Sequence, residues 1–332
     1  MSATSPQSPA DADPDCPPPA GPVDAVPDAP SVRAKPAPAG GLGAAVWAAL
    51  GIVYVVWGST YLAIRVVVET MPPLLSGALR FGAAALLLGA GLTVRHGWGA
   101  LRVTRRQLGS AFLVGVLLLV GGNGLVVLAE RTVPSGLAAL MVASVPLWVV
   151  LLRRAFGTRT GGATLAGVLV GLVGLLVLTA PGLTGEVGLS GLLLVVAAAV
   201  VWALGSVLAG RLPMPADPFV ASVYEMLAGA VGALVLSVAR GEPGDFDPGA
   251  VSAGSWTGLV YLVLFGSIVA FTSYAWLLQR APLPLVATYA YVNPVVAVFL
   301  GWIFLSEALT WPILLGGAIV VGGVFLVARS EH

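Results

Sequence analysis

The fold is decided by stretches such as PLLSGALRFGAAALLLGAGLTV, residues 73–94, where Arg80 interrupts an otherwise apolar run. About 20 apolar residues in a helix span the roughly 30 Å of hydrocarbon in a bilayer. Similar windows recur from residue 43 onward. We therefore predict ten membrane helices, at about 44–68, 73–94, 108–129, 135–154, 163–181, 189–210, 218–239, 255–278, 284–305 and 311–328.

Composition agrees with a membrane protein, since 58% of the 332 residues are hydrophobic and only 9% are charged. A soluble domain carries about 25% charged residues, so this chain lacks the charge to cover a surface that faces water. The net charge of +1, without a basic block, argues against a nucleic-acid partner. We expect an all-α integral membrane protein whose main partner is the lipid bilayer.

Several chemistries lack the residues they need. The single cysteine, Cys16, excludes an internal disulfide and a cysteine metal cluster. The two histidines, His96 in a basic loop and His332 at the chain end, are poorly placed for intramembrane hydrolysis. No P-loop appears, so protons, exchange or facilitation would have to drive any transport. We expect no enzyme, no metal and no cofactor.

The N-terminal residues differ from the rest. Residues 1–42 contain eleven prolines and few large apolar side chains, which predicts a disordered tail. No apolar core lies near Met1, so we expect the first helix to be retained rather than cleaved as a signal peptide.

The basic residues predict the orientation, because cytoplasmic flanks are enriched in Lys and Arg. With both termini in the cytoplasm, twelve of the sixteen cations lie on inner flanks. These are Arg33, Lys35, Arg95, Arg102, Arg105, Arg106, Arg153, Arg154, Arg159, Arg211, Arg280 and Arg329.

The chain also matches itself. At an offset of 145, Trp57 falls on Trp202, Pro73 on Pro218 and Arg80 on Glu225; at 148, Pro134 falls on Pro282 and Pro146 on Pro294. We predict two repeats, residues 43–182 and 183–329. Five helices in each make the second repeat inverted, an arrangement that many secondary transporters use around a central site.

Three segments carry a resemblance to a known family. They read WGSTYLAIRVVVETMPPLLSGALRF (57–81), VPSGLAALMVASVPLWVVLL (133–152) and LFGSIVAFTSYAWLLQRAPLPLVATYAYVNPVVAVFLGWIFLSEALTW (264–311). The chain resembles the EamA branch of the drug/metabolite transporter superfamily, and within it the YedA-type inner-membrane exporters. The resemblance implies ten helices with both ends inside, an inverted repeat, and export of amino acids, related metabolites or drugs. Unlike many members, the chain has an acid only after the ninth helix, in Ser306-Glu307, and Gly157 at the corresponding place after the fourth.

Arg80 and Glu225 are the two charges set deepest in the predicted helices. Ionisable groups inside a membrane are expensive and usually face a cavity or a partner. Both could face a polar cavity, Arg80 receiving a carboxylate and Glu225 a cation or a proton. Alternatively, they could only hold helices together.

Other polar and aromatic residues fall near the same depth. The candidate substrate-binding residues are Trp57, Ser59, Thr60, Arg80, Asn123, Trp202, Glu225, Tyr289, Tyr291 and Asn293, with Pro146 and Pro294 as kink or gating positions. Plain helix packing would explain the two tryptophans about as well as a role in binding. A mechanical kink would explain the two prolines about as well as a role in gating.

Three further residue groups are expected to be structural. Arg65 and Glu130, near helix ends, should snorkel to the headgroups. The acids of 242–247 should form a solvated turn. The Gly167–Gly171 pair could contact helix 10 of the same chain or a second copy of the protein, so a homodimer is possible.

The sequence therefore predicts a secondary transporter that exports small metabolites, most of all amino acids or related zwitterions, by alternating access. A multidrug or nucleoside exporter of the same fold is the first alternative. A scaffold that does not transport, or a transferase acting on a lipid-linked substrate, is more distant.

Overall fold

The computed structural model describes residues 44–157, 161–183, 187–281 and 289–330, and these form helices joined by turns. The tail of residues 1–42 and the prolines 282 and 284 lie outside the described residues. The helices are α1 Ala44–Val67, α2 Pro73–His96, α3 Arg105–Ala129, α4 Ser135–Ala155, α5 Gly162–Leu183, α6 Leu189–Ala209, α7 Pro218–Ala239, α8 253–280, α9 Tyr289–Leu305 and α10 Trp311–Ser330.

Length and composition make these helices suited to a membrane. Among the described residues, seven helices are long and apolar enough to cross one, and three shorter apolar stretches lie in α5, α9 and α10. Large apolar side chains are exposed around the bundle, among them Leu86, Leu176, Phe304 and Trp311. Such a surface suits lipid rather than water, so the all-helical membrane fold expected from composition is confirmed.

Helix starts follow from local capping chemistry. α3 begins with a capping box, in which the Thr104 hydroxyl accepts from the Gln107 N–H at 3.2 Å and the Gln107 side chain accepts from the Thr104 N–H at 2.9 Å. Asp217 accepts from the N–H two residues on at the start of α7, and Ser252 caps α8 in a similar way. These contacts satisfy N–H groups that a helix leaves without partners.

Two acids cap helices of the other half of the chain. Glu242 accepts from the Leu75 N–H at 2.8 Å and so caps α2. Glu307 accepts from the N–H of Ser135 at 2.7 Å and of Gly136 at 3.0 Å, and so caps α4. A carboxylate at a helix N-terminus is stabilised by the helix dipole. The expectation of a merely solvated turn at 242–247 is therefore wrong for Glu242.

Three helices are interrupted. α3 contains a π-helical segment at Val116–Asn123, and α8 contains one of the same length at Leu262–Val269. A turn at Ala143 and Ser144 divides α4 into the segments Ser135–Val142 and Val145–Ala155, and Pro146 lies in the first turn of the second segment. Irregular helix of this kind is frequent at functional sites.

Helix packing repeats between the two parts of the chain. α5 lies along α10, α2 lies along α7, α1 contacts α8 and α9, and α6 contacts α3 and α4. A Cβ on Gly167 or Gly174 would clash with α10, so α5 and α10 approach closely through glycine. The Gly167–Gly171 pair thus faces helices of its own chain and gives no support to a homodimer.

Candidate functional site

A cavity of about 130 Å³ lies between α1, α2, α3, α4, α6, α8 and α9. Most of the residues singled out in the sequence line it. Those on its wall are Trp57, Thr60, Arg80, Asn123, Pro146, Trp202, Tyr289, Asn293 and Pro294. Helices from both parts of the chain therefore contribute to one central site.

Arg80 brings an incompletely satisfied cation to this cavity. Its side chain is only 6% exposed, its Nε donates to the Ser267 hydroxyl at 3.0 Å, and its guanidinium lies 4.9 Å from the centre of the Phe81 ring. Its Nη1 has no hydrogen-bond partner within the described part of the chain. A buried donor without a partner is costly, so this nitrogen is suited to meet an anionic group of a ligand.

Asn123 adds an acceptor to the same wall. It is the last residue of the π-helical segment of α3, and its Oδ1 is buried without a partner among the described residues. The preceding Gly122 lies so close to Trp202 that a Cβ there would be 2.7 Å from the indole ring. The glycine thus lets α3 approach Trp202. The cavity wall includes two residues, Arg80 and Asn123, that each hold a buried polar atom without a partner among the described residues.

Aromatic rings form another part of the wall. The Trp57 ring centre lies 5.1 Å from that of Tyr274 and 5.2 Å from that of Tyr289, and its Nε1 donates to the Gly266 carbonyl at 3.3 Å. The acceptor belongs to the π-helical segment of α8. The faces of such rings attract cations and flat groups.

The two prolines differ in local structure although both line the cavity. Pro146 follows the turn in α4, whereas Pro294 lies inside α9, which stays helical. Beside Pro294, the Asn293 amide, oriented so that its nitrogen donates, reaches the carbonyls of Tyr54 and Tyr289 at 3.2 Å. Asn293 therefore stabilises the backbone around the proline as well as facing the cavity.

Two candidates lie elsewhere. The Ser59 hydroxyl is engaged with the Val56 carbonyl at 2.8 Å and the Tyr261 hydroxyl at 2.6 Å, and Ser59 does not line the cavity. Glu225 is 9% exposed and also lies off the cavity wall, where its backbone packs against Gly115 of α3. No residue of α7 is part of the cavity wall, so the role expected for Glu225 stays a prediction. The side chain of Tyr291 is not among those that the structure describes.

The sequence argument also missed residues. Ser267 and Gly266, which hold Arg80 and Trp57, were not singled out, although Gly266 falls 145 residues after Gly121. Glu130 is fully buried rather than snorkelling, while Arg65 donates to its backbone carbonyl. Among the described residues, no group of three or more His, Cys, Asp and Glu side chains could hold a metal ion.

Secondary transporters use helical bundles of this kind, with a central cavity walled by helices of both parts of the chain. Comparison with known proteins agrees, because the model of the EamA-like transporter family matches residues 44–180 and again 189–329. The chain belongs to the EamA-like transporter family. It is therefore a membrane transporter and not an enzyme, built from repeated halves.

Relatives cover almost all of the helical region. The inner membrane transporter YedA of Escherichia coli (strain K12) is 39% identical over 289 residues, which are 86% of this chain and 92% of YedA. A "probable amino-acid metabolite efflux pump" of the same strain is 27% identical over 83% of this chain and 92% of its own length. One crystal structure, 23% identical, matches 88% of this chain and all of its own with a TM-score of 0.60, which supports the fold.

Proposed function

We propose that the protein exports small metabolites, most of all amino acids or related zwitterions, across the bacterial inner (plasma) membrane by alternating access. The observation that carries the proposal is Arg80, which lines the central cavity and whose buried Nη1 has no hydrogen-bond partner among the described residues. A guanidinium binds carboxylates with strong, charge-assisted hydrogen bonds. A substrate carboxylate would supply the partner that this nitrogen lacks.

The rest of the wall suits the ammonium end of the same substrate. Asn123 offers an unpaired oxygen, and the rings of Trp57 and Tyr289 offer cation–π faces. Glu225, which the sequence suggested for this role, lies off the cavity. The name of the efflux-pump relative agrees with amino-acid transport.

Alternating access is supported by the relation between the halves, for which we propose an inverted repeat of residues 43–182 and 183–329. The two π-helical segments begin 146 residues apart, and the pairs Trp57/Trp202 and Pro146/Pro294 all line the cavity. Contacts also correspond, since α1 packs on α9 as α6 packs on α4. Two related halves around one site can exchange conformations and open it to either side.

Ten crossings would place both termini in the cytoplasm, as the excess of basic residues on the inner flanks favours. In that orientation the N-termini of α2 and α4 face outward. The caps made by Glu242 and Glu307 would then join the halves at the outer side of the bundle.

Counterflow in proteoliposomes tests the proposal. Vesicles are loaded with a mixture of unlabelled amino acids, and the entry of each labelled amino acid is measured separately. We expect exchange by wild type, and a loss of about tenfold or more in apparent affinity for Arg80→Gln, since a hydrogen bond to a charged group contributes about 1.5–3 kcal/mol. Arg240→Ala, which removes an exposed cation, is the matched control and should exchange as wild type does.

Folding is checked for each variant by size-exclusion chromatography. If folded wild type exchanges no amino acid, the zwitterion proposal fails. The aromatic wall then favours flat substrates, and the same vesicles are tested with nucleosides and planar drugs.

A further inference from the structure

The cavity wall carries a cation but, among the described residues that line it, no acid. Its charged residue is Arg80, whereas Glu130 and Glu225 are not part of the wall. The neutral side chains on the wall that can accept a hydrogen bond are Thr60, Tyr61, Asn123, Tyr289 and Asn293. The ammonium end of a zwitterion would therefore enter a site without a carboxylate to neutralise it.

A primary ammonium group is poorly suited to such a wall. It has three N–H donors, and burying a donor is costly unless an acceptor of the protein replaces the lost water. Of the acceptors on the wall, the Asn123 Oδ1 is buried without a partner among the described residues. A nitrogen whose hydrogens are replaced by methyl groups keeps its positive charge and needs no acceptor at all.

Aromatic rings supply the kind of surface that a methylated ammonium group binds. The aromatic residues that line the cavity are Trp57, Tyr61, Phe81, Trp202, Phe271 and Tyr289. The negative faces of such rings attract cations, and quaternary ammonium ligands are recognised in this way. The cavity is therefore rich in the one interaction that such a group needs.

The rings around Trp57 are held in place by one another. The Trp57 ring centre lies 5.9 Å from that of Phe271 and 5.2 Å from that of Tyr289, and both pairs pack edge to face. The Tyr274 ring packs against both Trp57 and Tyr289, at 5.1 Å and 5.8 Å. Rings fixed before a ligand arrives lose little freedom when it binds.

Arg80 and Trp57 are held by two consecutive residues of α8. The Arg80 Nε donates to the Ser267 hydroxyl at 3.0 Å, and the Trp57 Nε1 donates to the Gly266 carbonyl at 3.3 Å. A Cβ on Gly266 would also lie 3.3 Å from the Arg80 Nη2. The guanidinium and the indole are therefore neighbours, close enough for the two ends of one small zwitterion.

We propose that the preferred substrate is a zwitterion of the betaine type, whose carboxylate binds Arg80 and whose fully N-methylated ammonium group binds the aromatic residues around Trp57. This inference rests on the proposed function and narrows its substrate class. The carboxylate needs donors, which the guanidinium provides. The methylated nitrogen needs rings and no acceptor, which is what the rest of the wall provides.

A series of N-methylated glycines tests the inference. Uptake of labelled glycine betaine is measured in proteoliposomes loaded with unlabelled glycine betaine, and glycine, sarcosine, N,N-dimethylglycine and glycine betaine compete from outside. These four share one carboxylate and differ only in the methyl groups on nitrogen. We expect wild type to exchange glycine betaine, and glycine to compete about tenfold or more weakly than glycine betaine does. Exchange of amino acids but not of glycine betaine, or competition by glycine at least as strong, overturns the inference.

Two further competitors separate charge from apolar contact. In 3,3-dimethylbutanoate a carbon replaces the charged nitrogen of glycine betaine, and in choline a hydroxymethyl group replaces the carboxylate. Each should compete about tenfold or more weakly than glycine betaine, because one lacks the cation for the rings and the other lacks the anion for Arg80. Equal competition by 3,3-dimethylbutanoate overturns the role of the rings, and equal competition by choline overturns the role of Arg80.

Variants of Trp57 assign the preference to this ring. Trp57→Leu should lose most of the preference for glycine betaine over glycine, whereas Trp57→Phe, which keeps a ring, should retain it. Trp47→Leu makes the same change at a tryptophan of α1 that is 54% exposed, and should behave as wild type. A folded Trp57→Leu with an unchanged preference overturns the inference, and if this variant does not fold, the competitors decide on wild type alone.

Failure of the proposed function looks different. In that case folded wild type exchanges neither an amino acid nor glycine betaine. The inference alone fails when amino acids exchange and methylation of the nitrogen brings no gain.

Discussion

A pair of neighbouring glycines in α10 gives a sharp test of the packing between α5 and α10. A Cβ on Gly323 would lie 2.5 Å from the Gly171 Cα and 2.9 Å from the Gly167 carbonyl oxygen, whereas a Cβ on Gly322 would meet nothing within 4 Å. Carbon atoms pack at about 3.5–4.0 Å, so Gly323→Ala forces α10 away from α5 by roughly 1 Å. Overpacking of this kind costs about 1–3 kcal/mol.

Gly322→Ala is the matched control, because both changes add one methyl group to the same helix. Alanine gains up to about 1 kcal/mol of helix propensity at either position, so this gain cancels in the comparison. We therefore expect Gly323→Ala to be less stable than Gly322→Ala by about 1–3 kcal/mol, the cost of the clash alone.

The assay is unfolding in mixed micelles with a rising mole fraction of SDS, followed by tryptophan fluorescence. Gly322→Ala should unfold at or above the wild-type SDS fraction, and Gly323→Ala below it. Equal midpoints for the two variants, or a lower midpoint for Gly322→Ala, would refute the close approach of α5 and α10.

Further predictions concern a cap and two side chains near the cavity. Glu242→Ala should lower the free energy of unfolding by about 1–3 kcal/mol, because the N–H at the start of α2 loses its acceptor. Asp245→Ala, in the same exposed loop, is the control and should change the free energy of unfolding by no more than about 0.5 kcal/mol. Unfolding of both variants in SDS checks this. Trp57→Phe removes the bond to the Gly266 carbonyl, worth about 1 kcal/mol, and should weaken apparent affinity in counterflow several-fold while exchange persists; unchanged affinity would count against a role for the indole N–H. Glu225→Gln should leave amino-acid exchange unchanged, since the side chain lies off the cavity; loss of exchange in a folded variant would return Glu225 to the site.

The helices could be predicted from the sequence because hydropathy alone governs where a chain enters and leaves a bilayer. The expected helix over 73–94 is observed at Pro73–His96, and that over 218–239 at Pro218–Ala239. Much of the cavity could also be predicted, because Trp57, Arg80 and Asn123 are polar or amphipathic residues at a depth where such residues are rare.

Which helices surround the cavity could not be predicted in the same way. α7 carries apolar residues on all its faces, so nothing in its pattern showed that this helix, with Glu225, contributes no residue to the cavity wall. Glu130 lies at a helix end, where sequence alone favours contact with headgroups, and only the tertiary packing buries it. The cross-half cap that Glu307 makes with Ser135 likewise depends on contacts between distant parts of the chain.

The most direct test of the central claim asks whether the cavity opens to both sides of the membrane. In a Cys16→Ser background, Ala199→Cys places one thiol at the cavity wall on α6. A thiol reagent that does not cross membranes is then added to oriented vesicles of either sidedness, with and without the amino acid that exchanges. The account predicts labelling from both sides, slowed from each side by the amino acid. Labelling of folded, exchanging protein from one side only would contradict it.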